Sequence, residues 1–173
     1  SLMKVKKVTF SKITSIYKHP SALLFMSLEL KMIYENTKDM VFNHPSLDIG
    51  CGDGAISKLL FDEKFTYGMD NGEANDVDEA IKNNLYEKVL IEGAEKMSLP
   101  NNSVNFVFSN SVIEHIPDNK AVMSEVGRVL KTGGFFVFTS PSENFTKYLY
   151  LSSILEKLGL GFFSEIYKKK RNK

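Results

Sequence analysis

The chain is poor in several residue types, and each scarcity excludes a class of protein. One cysteine, Cys51, stands among 173 residues, which excludes an internal disulfide and favours a reducing compartment, the cytoplasm. No apolar run approaches the ~20 residues that span a bilayer. The net charge of +1 gives no global attraction to nucleic acid. With 43% hydrophobic residues, the sequence predicts the core of one ordinary domain.

A glycine-rich turn is the strongest positive signal. Residues 47–54 read Leu-Asp-Ile-Gly-Cys-Gly-Asp-Gly, an apolar strand that runs into three glycines at alternate positions. Asp70 follows twenty residues after Gly50, at the end of a second apolar stretch. Glycines permit a tight turn and the close approach of a ligand, and an acidic residue there is well placed to bind both hydroxyls of a ribose. These features predict a nucleoside-containing cofactor at the ends of the first two strands.

Strands and helices alternate along the chain. The predicted strands are 47–49, 65–69, 89–91, 104–108 and 135–139, and the predicted helices are 21–38, 54–61, 74–83, 119–130 and 142–158. This alternation predicts an α/β fold, a Rossmann-like doubly wound and mostly parallel sheet in the order 3-2-1-4-5, with helices on both faces. Residues 1–38 form an N-terminal arm and helix, with residues 3–19 predicted to be loosely attached. Residues 39–141 form the cofactor-binding core, and residues 142–173 a C-terminal helix and basic tail.

The glycine loop alone leaves the cofactor open. Residues 50–55 also satisfy Gly-x-Gly-x-x-Ala, the looser dinucleotide fingerprint, in which Asp70 would bind the adenosine ribose of NAD. Asp48 favours another ligand, because a buried charge in an apolar strand needs a partner. A cationic amino group on the ligand would supply that partner, and NAD has none there.

Three later segments, 93–100, 101–108 and 128–135, follow the loop in order. Together the four motifs, over residues 45–141, resemble the class I S-adenosylmethionine-dependent methyltransferases, in the small-molecule subfamily whose loop reads LDIGCGxG. The resemblance implies S-adenosylmethionine as cofactor, S-adenosylhomocysteine as product and in-line methyl transfer to a small-molecule acceptor. A NAD-binding oxidoreductase and a non-catalytic S-adenosylmethionine-binding module remain as alternatives.

The resemblance also implies roles for individual positions. The implied cofactor-binding residues are Asp48, Gly50, Cys51, Gly52, Asp70, Asn71, Ala94, Glu95, Ser109 and Asn110. Within this set, residues 48, 50 and 52 surround the methionine end, Asp70 binds the ribose, residues 94–95 lie beside the adenine and residues 109–110 flank the reacting centre. Cys51 is interpreted as a small residue in a tight loop, without a neighbouring histidine that would make it a nucleophile.

The chain departs from the family pattern at two positions. Gly93 stands where many relatives carry the aspartate that bonds the adenine amino group, which leaves Glu95 or the backbone for that contact. Asn105 stands where relatives tend to have aspartate, and it preserves most of the hydrogen bonding.

His115 is the candidate catalytic residue, a general base if the acceptor must lose a proton. The alternative is that it only packs or hydrogen-bonds at the start of the next helix. No cluster of histidine, cysteine and carboxylate residues has the spacing of metal ligands, so no metal is predicted.

Relatives usually continue past the fifth strand with a helix and two more strands, whereas about thirty residues follow it here. We therefore expect the last strands of the family's seven-stranded sheet to be missing, which would expose an apolar edge and favour a homodimer. Residues 3–38 and 142–167, with Tyr148 and Tyr150 as lid residues, are the predicted source of acceptor specificity.

Overall fold

A computed structural model describes residues 1–17, 19–73 and 77–140, and residues 1–140 form one compact unit. Residues 141–173 lie outside the described residues. Four predictions fall there: the helix 142–158, the lid residues Tyr148 and Tyr150, the absence of further strands, and the edge that would favour a dimer. Across the part of the chain that is described, no helix has the length and apolarity that crossing a membrane requires.

The N-terminal region packs against the core. It contains β1 (Leu2–Met3), α1 (Phe10–Ile16), α2 (Pro20–Thr37) and β2 (Phe42–Asn43). β1 pairs antiparallel with β2, and the backbone N–H of Lys6 donates to the carbonyl of Leu60 at 2.6 Å. The prediction of a loosely attached arm is wrong, because Met3, Val5 and Ile13, set among the lysines, are buried in the apolar core.

A parallel sheet forms the centre of the molecule. Its elements are β3 (Ser46–Ile49), α3 (Ala55–Leu60), β4 (Phe65–Asp70), α4 (Val77–Lys82), β5 (Tyr86–Ile91), β6 (Val104–Asn110), α5 (Asn119–Val129) and β7 (Leu130–Thr139). The strand order is β5-β4-β3-β6-β7, and every neighbouring pair is parallel. Counted within the sheet, this is the predicted order 3-2-1-4-5, so the predicted fold class is confirmed.

Two strands begin three or more residues earlier than predicted. β5 begins three residues earlier than predicted, at Tyr86, whose ring is buried. β7 begins at Leu130, directly after α5. Its register jumps from Leu130 opposite Val104 to Phe135 opposite Phe106, so the predicted glycine turn at 132–134 is an irregular segment inside the strand.

Apolar side chains cover both faces of the sheet. Phe106 and Phe108 of β6 belong to one cluster, where Phe106 stacks on Phe42 with ring centroids 4.0 Å apart. Val107, between them in sequence, belongs to the other cluster together with Val122 and Val126 of α5. Burial on both faces is the normal environment of a central parallel strand, and it fixes the position of the residues that follow β6.

Candidate functional site

The sheet topology brings the predicted site residues to one edge. β3 lies between β4 and β6, with Ile49 paired to Met69 on one side and to Ser109 on the other. The connections after these three strands therefore leave the sheet side by side. The chain winds away from β3 in both directions, which is the switch point where doubly wound sheets bind ligands.

Two glycines of the loop are needed for different reasons. Gly50 has φ +71°, and a Cβ there would collide with a methyl carbon of Val112. Gly52 has φ +49°, yet a Cβ there would meet no atom within 4 Å. Packing therefore requires glycine at position 50, whereas the backbone at Gly52 faces open space into which a ligand fits.

Asp70 is held in place above this loop. Its Oδ2 accepts a hydrogen bond from the N–H of Gly52 at 3.1 Å, and its Oδ1 accepts one from the N–H of Gly72 at 3.0 Å. Each carboxylate oxygen can accept a further hydrogen bond, so the fixed carboxylate retains acceptor capacity for a diol. Asn71 is exposed and accepts from the N–H of Glu73 at 3.1 Å.

Asp48 is buried within β3, and its carboxylate accepts hydrogen bonds from other side chains of the protein. Its Oδ2 accepts hydrogen bonds from the hydroxyls of Ser57 and Tyr86, the latter at 2.6 Å. Burial raises the pKa of Asp48 to about 6, an effect that the two hydroxyls oppose and the charge of Asp70 increases. β5 and α3 thus bring two hydroxyls to Asp48, so it has partners within the protein, and its contact with a ligand cation stays a prediction.

Cys51 is buried beside these carboxylates. Burial, and then the charges of Asp48 and Asp70, raises the pKa of its thiol. A neutral thiol is a weak nucleophile, which agrees with the interpretation of Cys51 as a small loop residue.

The segment after β5 places Glu95 over Gly93. Ala94 is buried and Glu95 is exposed. The Oε2 atom of Glu95 lies 2.7 Å from the position that a Cβ on Gly93 would occupy. A larger residue at position 93 would therefore require the Glu95 carboxylate to move, which its exposed and flexible side chain allows.

Arg128 of α5 anchors the same segment. Its guanidinium donates to the carbonyls of Met97 and Leu99, at 2.9 and 2.8 Å. It also forms two hydrogen bonds to the carboxylate of Glu125, each at 2.7 Å. Glu125 in turn accepts from the N–H of Met97 at 2.7 Å. The candidate adenine-side residues are thus tied to a helix of the core.

The end of β6 carries Ser109 and Asn110. Ser109 is fully buried, and its hydroxyl has no hydrogen-bond partner within the described part of the chain. Asn110 accepts from the Thr139 hydroxyl at 3.1 Å and directs its amide nitrogen at Glu29 of α2, 3.4 Å away. Ser111 donates from its hydroxyl to the other oxygen of Glu29 at 2.6 Å.

Glu29 is a site residue that the sequence analysis missed. It is separated from Ser111 by 82 positions and carries no motif. Its position in the sequence could have identified it, because the helical spacing puts Glu29 on the same face of α2 as the buried Met26 and Ile33. A glutamate at a core position of an amphipathic helix indicates a specific partner.

His115 lies on a single 3-10 turn, Ile113–His115. Its side chain is 71% exposed, and its Nε2 lies 3.8 Å from Oε1 of Glu114. Both carboxylate oxygens of Glu114 are shielded from solvent, without a hydrogen-bond partner among the residues described. The general-base role of His115 stays a prediction. In the described ranges, no three histidine, cysteine or acidic side chains come together as a metal site would require.

Comparison with known proteins agrees with this geometry. Residues 47–138, more than half of the chain, match the family described as Methyltransferase domain. The chain is 25% identical to the ubiquinone biosynthesis O-methyltransferase of Vibrio atlanticus over 139 residues, 76% of this chain and 57% of that protein. It is 34% identical to the 27-O-demethylrifamycin SV methyltransferase of Amycolatopsis mediterranei over 97 residues, 51% of this chain and 35% of that protein.

A solved structure shares the fold. A methyltransferase of Thermotoga maritima that depends on S-adenosylmethionine superposes with a TM-score of 0.56 at 24% identity, covering 75% of this chain and 56% of the other. The chain spans about half the length of the curated relatives it matches. The matched region, residues 47–138, contains the glycine loop, Asp70 and the end of β6. The chain belongs to the methyltransferase domain family.

Proposed function

We propose that this chain binds S-adenosylmethionine at the carboxyl ends of β3, β4 and β6 and transfers its methyl group to a hydroxyl of a small organic acceptor. The observation that carries the proposal is the Asp70 carboxylate, fixed by two backbone N–H groups beside the open space above Gly52. An oxygen acceptor, which we take to be a hydroxyl, is favoured because relatives of the chain are named for methyl transfer to oxygen.

The residues present fit this cofactor. Asp70 has free acceptor capacity for two ribose hydroxyls, and the Glu95 carboxylate, over Gly93, is an acceptor for the adenine amino group. The unpartnered hydroxyl of Ser109 is a buried polar group that a bound ligand would satisfy. Asp48 has its own partners and acts on the methionine end through the charge and rigidity of the loop.

The cofactor supplies an electrophilic methyl group on a sulfonium sulfur. The contribution of the chain is to align the acceptor oxygen with that methyl group and to exclude water, because no covalent bond to the protein is required. His115 is our candidate to take the acceptor proton. Since its ring is largely exposed, it can pass that proton directly to solvent.

The two alternatives predict different ligands or no turnover. A NAD-binding oxidoreductase would bind NADH, and the family match argues against it. A non-catalytic module would bind S-adenosylmethionine but release no S-adenosylhomocysteine with any acceptor.

Calorimetric titration of the full chain with S-adenosylmethionine, S-adenosylhomocysteine and NADH tests the cofactor. We expect the two sulfur ligands to bind and NADH not to bind. Asp70→Ala should weaken both affinities by tenfold or more, on the order of the 1.5–3 kcal/mol of a hydrogen bond to a charged group. Asp39→Ala, which removes an exposed carboxylate at the end of α2, is the matched control and should bind as the wild type does.

Methyl transfer is then tested by S-adenosylhomocysteine release with a set of hydroxylated aromatic compounds. Release that depends on both acceptor and Asp70 supports the proposal. Binding of NADH alone, or equal affinities for wild type and Asp70→Ala, contradicts it.

A further inference from the structure

Glu29 is a buried carboxylate that does not belong to the residues proposed to bind the cofactor. Its side chain belongs to α2, and the residue is only 7% exposed. Transfer of a carboxylate into a protein interior is strongly unfavourable unless charges or hydrogen bonds compensate for the lost water. Within the described ranges, Glu29 forms no ion pair, and its hydrogen bonds come from neutral donors, Ser111 and Asn110.

These contacts leave one oxygen incompletely satisfied. Oε1 accepts the short bond from the Ser111 hydroxyl, at 2.6 Å. Oε2 has only the Asn110 amide nitrogen at 3.4 Å, beyond the usual range of an N–H···O bond. Oε2 can therefore accept a stronger hydrogen bond from a ligand at the end of β6.

The segment that meets Glu29 is held in an uncommon backbone conformation. Ser111 has φ +53°, a left-handed value that is unfavourable for residues with a Cβ. Its N–H is fixed by the hydroxyl and the carbonyl oxygen of Thr139, at 3.0 and 3.2 Å. Such conformations persist where the surroundings impose them, and they cluster at functional sites.

Glu29 also acts electrostatically on Tyr17, at the end of α1. Burial raises the pKa of the Tyr17 phenol, and the charges of Asp53 and Glu29 raise it further. The incompletely satisfied oxygen of Glu29 is an acceptor, so a group that donates a hydrogen bond is the ligand chemistry that it favours.

We propose that Glu29 is a specificity-determining residue that accepts a hydrogen bond from the hydroxyl group of the methyl acceptor. The inference rests on the proposed function, since it assigns the acceptor side of the same site. If Glu29 were purely structural, glutamine would keep the short bond, because its carbonyl oxygen also accepts from Ser111, and would lose only the 3.4 Å contact with the Asn110 amide. Recognition of an acceptor hydroxyl by a carboxylate would be weakened by that change, because a hydrogen bond to a charged group is replaced by a neutral one.

The test measures binding of catechol to the full chain saturated with S-adenosylhomocysteine. Catechol donates hydrogen bonds, whereas 1,2-dimethoxybenzene has a similar ring and no donor. The variant is Glu29→Gln. The matched control is Glu35→Gln, which removes an exposed carboxylate from the same helix and breaks only a surface pair with Lys38.

We expect Glu29→Gln to bind catechol at least about tenfold more weakly than the wild type, as for loss of a hydrogen bond to a charged group. Glu35→Gln should bind it as the wild type does, and 1,2-dimethoxybenzene should not distinguish wild type from Glu29→Gln. Equal catechol affinities for wild type and Glu29→Gln, or no binding of catechol to the wild type, would overturn the inference.

Failure of the proposed function has a different signature, because the wild type would then not bind S-adenosylhomocysteine at all. If Glu29→Gln does not fold, Glu29→Asp takes its place, since it keeps the charge but withdraws the carboxylate by one methylene. Weaker catechol binding by Glu29→Asp, at unchanged S-adenosylhomocysteine affinity, supports the inference, and unchanged catechol binding overturns it.

Discussion

Burial of Asp48 makes the folding stability of this domain depend on pH. Burial raises the pKa of Asp48 from 3.8 to about 6. Between about pH 4 and pH 6, the folded chain therefore binds a proton that the unfolded chain has released. Stability is then highest at the acid end of this window and falls as pH rises through the folded-state pKa.

The size of the effect follows from the same shift. A change of about two pKa units corresponds to about 3 kcal/mol, at roughly 1.4 kcal/mol per unit. Asp48→Asn cannot titrate, so its free energy of unfolding lacks this contribution. We expect the stability of the variant minus that of the wild type to increase by up to about 3 kcal/mol from pH 4 to pH 8.

Urea denaturation of both proteins at each pH unit from 4 to 8 measures this difference. Effects of asparagine that do not depend on pH, such as an altered bond to Ser57 or Tyr86, cancel in the slope. Asp53→Asn is the control, because its carboxylate is exposed and asparagine retains the acceptor that bonds the N–H of Ala55. Its difference from the wild type should stay constant within about 0.5 kcal/mol.

A pH-independent difference for Asp48→Asn, or one of opposite sign, would refute this reasoning. It would mean that the two hydroxyls compensate fully for burial. The buried carboxylate of Asp48 lowers folding stability near neutral pH, and natural proteins keep destabilising residues where they serve function. Asp48→Asn should therefore also lower the affinity for S-adenosylmethionine.

Three further changes test other parts of the site. Gly52→Ala should keep the fold, with about 1–2 kcal/mol of backbone strain, yet bind S-adenosylmethionine much more weakly in calorimetry, because the new Cβ enters the open space above the loop. Arg128→Ala should lower the melting temperature and weaken cofactor binding, since it frees the carbonyls of residues 97 and 99. Glu95→Ala should weaken cofactor binding, because it removes the carboxylate that lies beside Gly93.

Each of these expectations has a contrary result. Cofactor affinity of Gly52→Ala equal to that of the wild type would show that the ligand does not approach this backbone. An unchanged melting temperature for Arg128→Ala would show that the segment is held by its own packing. Full affinity in Glu95→Ala would leave the adenine contact to the backbone.

The sheet and the location of the site were predictable because they depend on local patterns. Alternation of apolar strands with amphipathic helices implies a parallel sheet, and short right-handed connections then restrict the strand order. The glycine loop and Asp70 follow adjacent strands, so the topology alone brings them to one edge. The family resemblance rested on motifs in that same region, and the comparisons confirmed it.

The partners of the buried carboxylates were not predictable. Asp48 looked like a charge that needed a ligand, but its partner Tyr86 lies 38 positions away, on a strand that begins earlier than its pattern indicated. Glu29 belongs to no motif, and only the packing of α2 against the end of β6 shows that Ser111 and Asn110 are its partners.

Sequence alone therefore determined the fold class, the sheet edge that carries the glycine loop and Asp70, and the family, because backbone periodicity and turn chemistry are local properties. Tertiary structure decided which side chains are buried, which hydroxyl meets which carboxylate, and how the N-terminal helices meet the strand ends. These are contacts between residues far apart in the chain, and their energies depend on desolvation and on distances that a linear pattern does not contain.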